Sequence, residues 1–240
     1  MPEKKGILYG LGVGPGDPEL LTLKAARILN SVDVVFAASS TKNSYSLAVS
    51  IARPHIFDLT AVRMLQFPMT RDKKTLQKAW KEHAMTIIKE VEQGKNVAFL
   101  TLGDLMTYST YGYVIQYIKE LSPKVPIISV PGITSYQAAA AAINRPLVEG
   151  EESLLVVSGA QGGGRLRDQA ESPDTVVLLK AYRNCKDIAL ALEENDLLEN
   201  SVAISRCSLP DQEIYDDVAE LCERKPKYWT LIIAKKKPRD

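Results

Sequence analysis

The sequence predicts an α/β protein of two α/β domains: an N-terminal five-stranded, mostly parallel sheet followed by a C-terminal mixed sheet. In the first 143 residues, short apolar runs alternate with stretches of helical periodicity, a pattern typical of a parallel sheet covered on both faces. The second half has shorter runs and a hairpin signal at residues 208–211. A length of 240 residues fits one large or two small domains.

The first half contains five apolar runs that predict strands and five periodic stretches that predict helices. The strands are 6–13, 32–36, 62–67, 97–101 and 125–130, and the helices are 20–29, 45–52, 75–93, 113–121 and 135–143. Asp17 before Pro18 has the pattern of a helix N-cap followed by proline at the first helical position, and Thr22 is an alternative start. Gly94 stands where a C-terminal cap is expected.

The second half predicts five short strands and two helices. The strands are 154–157, 175–179, 202–205, 213–215 and 229–234, and the helices are 187–194 and 218–224; residues 161–165 are expected to form a flexible loop. Residues 144–152 contain Pro146 and Gly150 and form the predicted linker. The domains are therefore expected to span residues 1–146 and 147–240.

Composition and charge argue against several classes of protein. Thirty basic and 29 acidic residues leave a net charge of +1, which does not fit a general nucleic-acid binder. No apolar stretch approaches the roughly 20 residues that span a membrane, and the charged N-terminus, residues 1–5, leads into a run too short for a signal sequence. We therefore expect a soluble, cytoplasmic protein that contacts neither nucleic acid nor membrane.

The three cysteines, Cys185, Cys207 and Cys222, are widely spaced. They form no Cys-x-x-Cys pair, and only His55 and His83 could add imidazole ligands, so we expect no metal site. In a reducing compartment the thiols are expected to be buried and free.

A glycine-rich loop, residues 10–17, follows the first strand. It does not satisfy the Gly-x-Gly-x-x-Gly fingerprint of dinucleotide-binding folds, because Pro15 or Asp17 occupies the last position. Asp17 also places a carboxylate where a pyrophosphate would meet the helix N-terminus. The loop is therefore either a tight strand-to-helix turn or a place where a ligand without phosphate approaches the backbone.

Two further loops follow the fourth and fifth strands. The first contains Gly103, Asp104 and several hydroxyl groups, and the second contains Gly132, Thr134 and Ser135. Asp104 could cap the next helix, and so could Thr134 or Ser135. Because carboxyl ends of parallel strands share one edge of a sheet, the three loops predict a small-molecule site there.

These three loops resemble those of the tetrapyrrole methylase family, the class III S-adenosylmethionine-dependent methyltransferases. The segment 12–25, GVGPGDPELLTLKA, is similar to the family signature, and the resemblance extends from residue 6 to about residue 234. Residues 67–72, 108–111 and 228–233 resemble the branch that methylates carbon 20 of precorrin-2 or cobalt-factor II in cobalamin biosynthesis.

The resemblance implies that S-adenosylmethionine lies in an active-site cleft between the domains. The implied cofactor contacts are Pro15, Gly103, Asp104, Met106, Thr134, Ser135, Lys180, Cys207 and Thr230. Asp104 and Tyr108 are the candidate catalytic groups. Leu105 departs from the family pattern, which has proline there, and is expected to loosen the loop.

The resemblance also implies an anionic tetrapyrrole substrate and a homodimer. Arg71 is the first candidate for binding the carboxylate arms of the substrate, because a guanidinium binds carboxylates through two parallel hydrogen bonds; Arg53 and Arg183 come next. Met69 is a candidate for contact with the flat macrocycle, although methionines also pack in cores.

Other functions remain open from the sequence alone. A methyltransferase of the same family could act on another position or on another tetrapyrrole. An RNA-directed relative is disfavoured by the net charge of +1. A carrier that binds without turnover is disfavoured by the intact Gly103–Asp104 pair.

Overall fold

The computed structural model describes residues 5–40, 46–224 and 226–237. The charged N-terminal residues 1–4, on which the localisation prediction partly rested, and Tyr45, the predicted first residue of a helix, lie outside these ranges. The chain divides into two compact units, Met1–Thr134 and Ser135–Asp240. The two-unit organisation agrees with the sequence.

The first unit is built on a five-stranded parallel sheet. Its strands are β1 (Leu8–Gly12), β2 (Val34–Ser40), β3 (Ala61–Phe67), β4 (Val97–Thr101) and β5 (Ile127–Val130), in the order β3-β2-β4-β1-β5. Gly12 at the end of β1 pairs with Thr101 at the end of β4, and Leu11 of β1 pairs with Val130 at the end of β5. These three strands therefore end almost level with one another. This register brings three strand-to-helix loops to one edge.

Four α-helices cover the two faces of this sheet. They are α1 (Leu23–Leu29), α2 (Leu47–Ala52), α3 (Lys73–Glu92) and α4 (Tyr111–Leu121). Asp17 caps only a short 3₁₀ helix, Pro18–Leu20, while the Thr22 hydroxyl accepts the Ala25 N–H and starts α1, as the second of the two sequence alternatives proposed. Asp72 caps α3 by accepting the Thr75 N–H.

Separate apolar clusters lie on the two faces of the sheet. One cluster contains Ile87 and Val91 of α3 together with Val114 and Ile118 of α4. The other contains the buried side chains of α1 and α2. The long helix that the sequence predicted at residues 75–93 is thus confirmed, with its apolar side against the sheet.

The second unit contains a mixed sheet. Its strands are β6 (Leu154–Ser158), β7 (Thr175–Leu179), β8 (Ser201–Ser205), β9 (Glu213–Tyr215) and β10 (Thr230–Lys235), in the order β6-β7-β10-β8-β9. Only β6 and β7 are parallel; β10 pairs antiparallel with both neighbours. The predicted hairpin is confirmed, because Ser205 of β8 pairs antiparallel with Glu213 of β9.

The helices of the second unit are α5 (Ser135–Ala142), α6 (Gly164–Arg167), α7 (Cys185–Glu193) and α8 (Val218–Glu223). The division between the units falls before α5, earlier than the predicted division after Pro146, because α5 contacts β10. The short helix α6 occupies part of the stretch that the sequence predicted as a flexible loop.

The prediction of three free thiols is wrong for two of the cysteines. Cys185 at the start of α7 and Cys222 in α8 form a disulfide, and only Cys207 is free and buried. Packing of α7 against α8 brings the two sulfur atoms together, and a separation of 37 residues gives no sign of this in the sequence.

Within the described ranges, neither a membrane-spanning helix nor a cluster of metal ligands is present. No helix within them has the length and apolar character needed to cross a bilayer. The same residues contain no group of three or more His, Cys, Asp or Glu side chains placed to hold a metal ion.

Candidate active site

The loops after β1 and β4 are joined by backbone hydrogen bonds. The Gly103 N–H donates to the Gly14 carbonyl at 2.7 Å, and the Gly14 N–H donates back to the Gly103 carbonyl at 3.2 Å. Both glycines have positive φ, +80° for Gly14 and +68° for Gly103, a conformation that a side chain would strain. The first loop is therefore more than a tight turn, since it extends the pairing of the sheet beyond the strand ends.

A third backbone lies against these two loops. A Cβ added at Gly12 would lie 2.6 Å from the Gly132 nitrogen and 2.7 Å from the Gly103 oxygen. A Cβ at Gly132 would lie 2.3 Å from that same oxygen. Such distances are far inside van der Waals contact, so only glycine allows the three loops to approach this closely. We call Gly12, Gly14, Gly103 and Gly132 the glycine platform.

Asp104 connects the platform through its carboxylate. One oxygen accepts the Met106 N–H at 2.8 Å and the Thr107 hydroxyl at 3.4 Å, and the other accepts the Gly132 N–H at 3.1 Å. Asp104 does not cap the next helix, because α4 begins at Tyr111 with Thr110 in the N-cap position. The side chain instead holds the loop after β4 to the loop after β5.

Met106, a predicted cofactor contact, and Tyr108, a candidate catalytic group, point outward from the loop after β4. Met106 is 60% exposed, and Tyr108 is 53% exposed with a positive φ of +51°. A tyrosine in this backbone conformation is uncommon and indicates that the surrounding structure imposes the loop geometry. Both side chains are therefore presented at the surface of the first unit.

Leu105 lies between these exposed residues but is itself buried, with 1% of its surface accessible. Its side chain belongs to the apolar cluster that contains Phe36 and Phe99. Burial of a leucine contributes about 1.5–3 kcal/mol, so Leu105 attaches the loop to the core by packing, where proline would restrict the backbone.

Tyr111 packs against Gly10, two residues before the platform begins at Gly12, and was not among the site residues predicted from the sequence. A Cβ at Gly10 would lie 2.2 Å from its ring, and its hydroxyl lies 2.9 Å from the Ser129 hydroxyl. Burial raises the pKa of the phenol. The ring thus occupies the space above Gly10 and fixes the start of α4 against β1.

The remaining predicted contacts of the first unit flank the platform. Pro15 and Thr134 are buried, and Thr134 lies two residues after Gly132. Ser135, the first residue of α5, is partly buried and belongs to the second unit. Thr101, the last residue of β4, carries a buried hydroxyl with no hydrogen-bond partner among the described residues.

In the second unit, Lys180, Cys207 and Thr230 lie at one end of the mixed sheet. Lys180 directly follows β7, and Cys207 is the second residue after β8. Thr230 is the first residue of β10, the strand that lies between β7 and β8. The Thr230 hydroxyl is bonded to the Ser205 hydroxyl and to the Lys227 carbonyl, both at 2.6 Å. Burial raises the pKa of the Cys207 thiol, so this sulfur is held neutral.

Three of the predicted substrate residues, Met69, Arg71 and Arg53, lie on exposed parts of the first unit, and the fourth, Arg183, is exposed in the second unit. Met69 is 65% exposed, and Arg71 is exposed in the segment between β3 and α3. Arg53 forms a 3.9 Å pair with Asp58. Met69 and Arg71 are thus accessible to a ligand, and among the residues that the structure describes no hydrogen bond joins either of them to the platform.

Comparison with known proteins points to a single family. The model of the tetrapyrrole (corrin/porphyrin) methylases matches residues 7–222. The chain is 37% identical over 232 residues to the cobalt-precorrin-2 C(20)-methyltransferase of Salmonella typhimurium, covering 96% of this chain and 97% of that protein. It is 35% identical over 207 residues to a probable cobalt-precorrin-2 C(20)-methyltransferase of Methanocaldococcus jannaschii, covering 86% of this chain and 85% of that protein.

Solved structures show the same fold. The uroporphyrin-III C-methyltransferase of Thermus thermophilus, complexed with S-adenosyl homocysteine, matches with a TM-score of 0.67 at 25% identity over 96% of this chain and 97% of that one. A cobalt precorrin-4 methyltransferase matches with a TM-score of 0.71 at 22% identity over 95% and 94%. From the family model, the near full-length relatives and the shared fold, we conclude that the chain belongs to the tetrapyrrole methylase family.

Proposed function

We propose that this protein transfers a methyl group from S-adenosylmethionine to carbon 20 of precorrin-2 or cobalt-factor II in cobalamin biosynthesis. The near full-length similarity to a relative named a cobalt-precorrin-2 C(20)-methyltransferase supports the class of substrate and the carbon that is methylated. The glycine platform, joined by Asp104, supports the site. The alternative is another methyltransferase of the same family, acting on another position or another tetrapyrrole.

The groups at the platform suit S-adenosylmethionine, which carries a sulfonium cation, a neutral adenine and a zwitterionic tail. Such a ligand needs backbone groups, hydroxyls and an acid, and it needs no phosphate cradle. The buried Thr101 hydroxyl has no partner among the described residues, so a ligand at this edge can satisfy it. We propose that Pro15, Gly103, Asp104, Met106, Thr134 and Ser135 hold the cofactor here, with Lys180, Cys207 and Thr230 as contacts from the second unit.

S-adenosylmethionine, when bound, supplies a methyl group on a sulfonium that is already a good leaving group. The protein then mainly has to hold the two reactants in line, an effect that can supply about 7–11 kcal/mol of the barrier. In this proposal the glycine platform gives the rigid backbone for that alignment, and Leu105 and Tyr111 support it from the core.

A proton must also leave carbon 20. Both oxygens of Asp104 already accept hydrogen bonds from the chain, which favours a positioning role for this residue. Of the two candidate catalytic groups, Tyr108 is then the better placed to contact the substrate, because its ring is half exposed in the same loop, and in this proposal the proton passes to solvent water beside it. Arg71 and Met69 are proposed to contact the anionic substrate.

The proposal is tested first by calorimetric titration with S-adenosyl homocysteine. We expect binding by the wild type and a loss of at least about tenfold in affinity for Asp104→Ala, since that change leaves the Gly132 and Met106 N–H groups without their acceptor. Asp58→Ala is the control, because Asp58 is exposed and makes only a 3.9 Å pair. Absence of binding by the wild type would refute the methyltransferase assignment.

Turnover with precorrin-2 and with cobalt-factor II then identifies the substrate. Mass spectrometry of the product should show one added methyl group, and NMR should place it at carbon 20. A methyl group at another carbon would support the alternative function. The homodimer and the cytoplasmic location are also proposals; sedimentation of the purified protein tests the first, and fractionation of cells tests the second.

A further inference from the structure

A continuous strip of aromatic rings lies at one end of the second sheet. The rings of Tyr182 and Tyr228 lie 4.9 Å apart, and Tyr228 meets Trp229 edge-on at 6.0 Å. An arginine covers each end of the strip: Arg183 lies 5.0 Å from the Tyr182 ring, and Arg206 lies 5.1 Å from the Trp229 ring. We call these five residues the Arg–aromatic strip.

The two arginines differ in how their charge is balanced. The Arg206 guanidinium donates to the Asp211 carboxylate at 2.6 Å. Arg183 is exposed and forms no ion pair with any residue that the structure describes. Its planar guanidinium, oriented by the Tyr182 ring, therefore presents an uncompensated positive charge next to exposed aromatic surface.

The backbone around the strip is held in an uncommon conformation. Lys180, Arg206 and Ser208 all have positive φ, between +55° and +63°. Each lies in a loop at the end of the sheet where β10 begins. The Ala181 N–H donates to the Thr230 carbonyl at 2.8 Å, and the Arg206 N–H donates to the Trp229 carbonyl at 2.8 Å. Several strained residues at one end of a sheet indicate a surface shaped for a ligand.

We propose that Arg183 is a specificity-determining residue, which pairs with a carboxylate arm of the tetrapyrrole while the rings of the strip contact the macrocycle. The inference rests on the proposed function for the identity of the ligand. A flat, conjugated polycarboxylate matches both parts of the strip, because a guanidinium binds carboxylate through two parallel hydrogen bonds and aromatic rings pack on flat apolar surfaces.

The test compares Arg183→Gln with Arg165→Gln in the intact protein. Arg165 is a matched control, because it is another exposed arginine of the second unit, in α6, with only a 3.9 Å pair to Asp168. For Arg183→Gln we expect KM for precorrin-2 to rise about tenfold or more with little change in kcat, the loss typical of one charged hydrogen-bonded pair. Affinity for S-adenosyl homocysteine should not change.

A second measurement uses uroporphyrin III as a stable probe, with its binding followed by fluorescence. The wild type should bind it more weakly as salt rises, and the salt dependence should be smaller for Arg183→Gln. Coproporphyrin III, which has fewer carboxylates, should respond less to the substitution. Equal KM and equal uroporphyrin affinity for both variants would overturn the role of Arg183. If the wild type did not bind S-adenosyl homocysteine at all, that result would instead refute the proposed function.

Discussion

At the scale of single residues, the glycine platform depends on the absence of a Cβ atom at each close backbone contact. We expect Gly12→Ala to force the Gly103 and Gly132 backbones apart, because neither contact is the end of a flexible side chain. The cost should be about 1–3 kcal/mol of unfolding free energy, together with at least a tenfold loss of S-adenosyl homocysteine affinity. Urea denaturation and calorimetry measure the two effects.

Gly112→Ala is the control for this prediction. Gly112 is the second residue of α4, and a Cβ there meets no atom within 4 Å. Since alanine is the better helix former, this variant should gain up to about 1 kcal/mol. If both variants behaved alike, close backbone approach would not be what selects glycine at position 12.

Leu105 gives a second prediction at this scale. Leu105→Ala should cost about 2–5 kcal/mol of stability, because it leaves a cavity beneath the loop after β4. Thermal unfolding tests this, with Leu23→Ala as the control, since Leu23 in α1 is 85% exposed. A change in Tm no larger for Leu105→Ala than for the control would show that the loop is held by its hydrogen bonds alone.

Between elements, Glu90 ties β3, α3 and the following loop together. Its carboxylate accepts from Lys95 and from Arg63, both at 2.6 Å. The hydrogen bond from Lys95, followed by that from Arg63, holds the pKa of Glu90 below its ordinary value. The contribution of such a carboxylate to the free energy of unfolding is fully present above its unfolded-state pKa of about 4.3. It is lost as the pH falls through the folded-state pKa.

Glu90→Gln should therefore lower Tm at pH 7, and the difference from the wild type should shrink below about pH 4. Melting curves over that range measure it. Glu82→Gln, in the same helix with a 4.0 Å pair to Lys78, should show little difference at any pH. A Glu90→Gln deficit that persists unchanged in acid would point to packing as its cause.

The sequence predicted helices and strands well where the apolar periodicity was long. It predicted them poorly where contacts with residues distant in the sequence determine the local structure. The helix at residues 75–93 was found because its apolar spacing extends over several turns. Helix α6 was missed because residues 162–164 are all glycine, a composition typical of loops. What orders this segment is Asp187 of α7, which accepts the Gly163 N–H at 2.8 Å and pairs with Arg167 at 2.9 Å.

At the scale of the whole molecule, each unit has its own core, and the disulfide lies within the second one. For a separation of 37 residues, a disulfide contributes about 4 kcal/mol in the chain-entropy model. Reduction should therefore accelerate amide hydrogen exchange in α7 and α8 and leave β1 and β4 unchanged. Cys185→Ser should reproduce the effect without reductant, whereas Cys207→Ser should not.

Prediction of the site followed the same division between local and distant information. Gly103, Asp104 and Thr134 could be proposed as site residues because each follows a strand in a recognisable motif. Arg183 was a candidate from the sequence, but the Arg–aromatic strip around it could not be predicted, because Tyr182 and Tyr228 belong to separate loops that meet through the pairing of β7 with β10. Nor does the sequence show that Leu105 faces the core while Met106 faces outward.

The fit of Tyr111 above Gly10 has a consequence for sequences related to this one. With the ring 2.2 Å from where a Cβ would stand, position 10 cannot enlarge unless position 111 shrinks. The two positions should therefore vary together across an alignment: glycine at position 10 wherever position 111 is tyrosine, and a smaller residue at 111 wherever position 10 carries a side chain. We therefore expect substitutions in the middle of β1 to be matched by substitutions at the start of α4, far along the sequence.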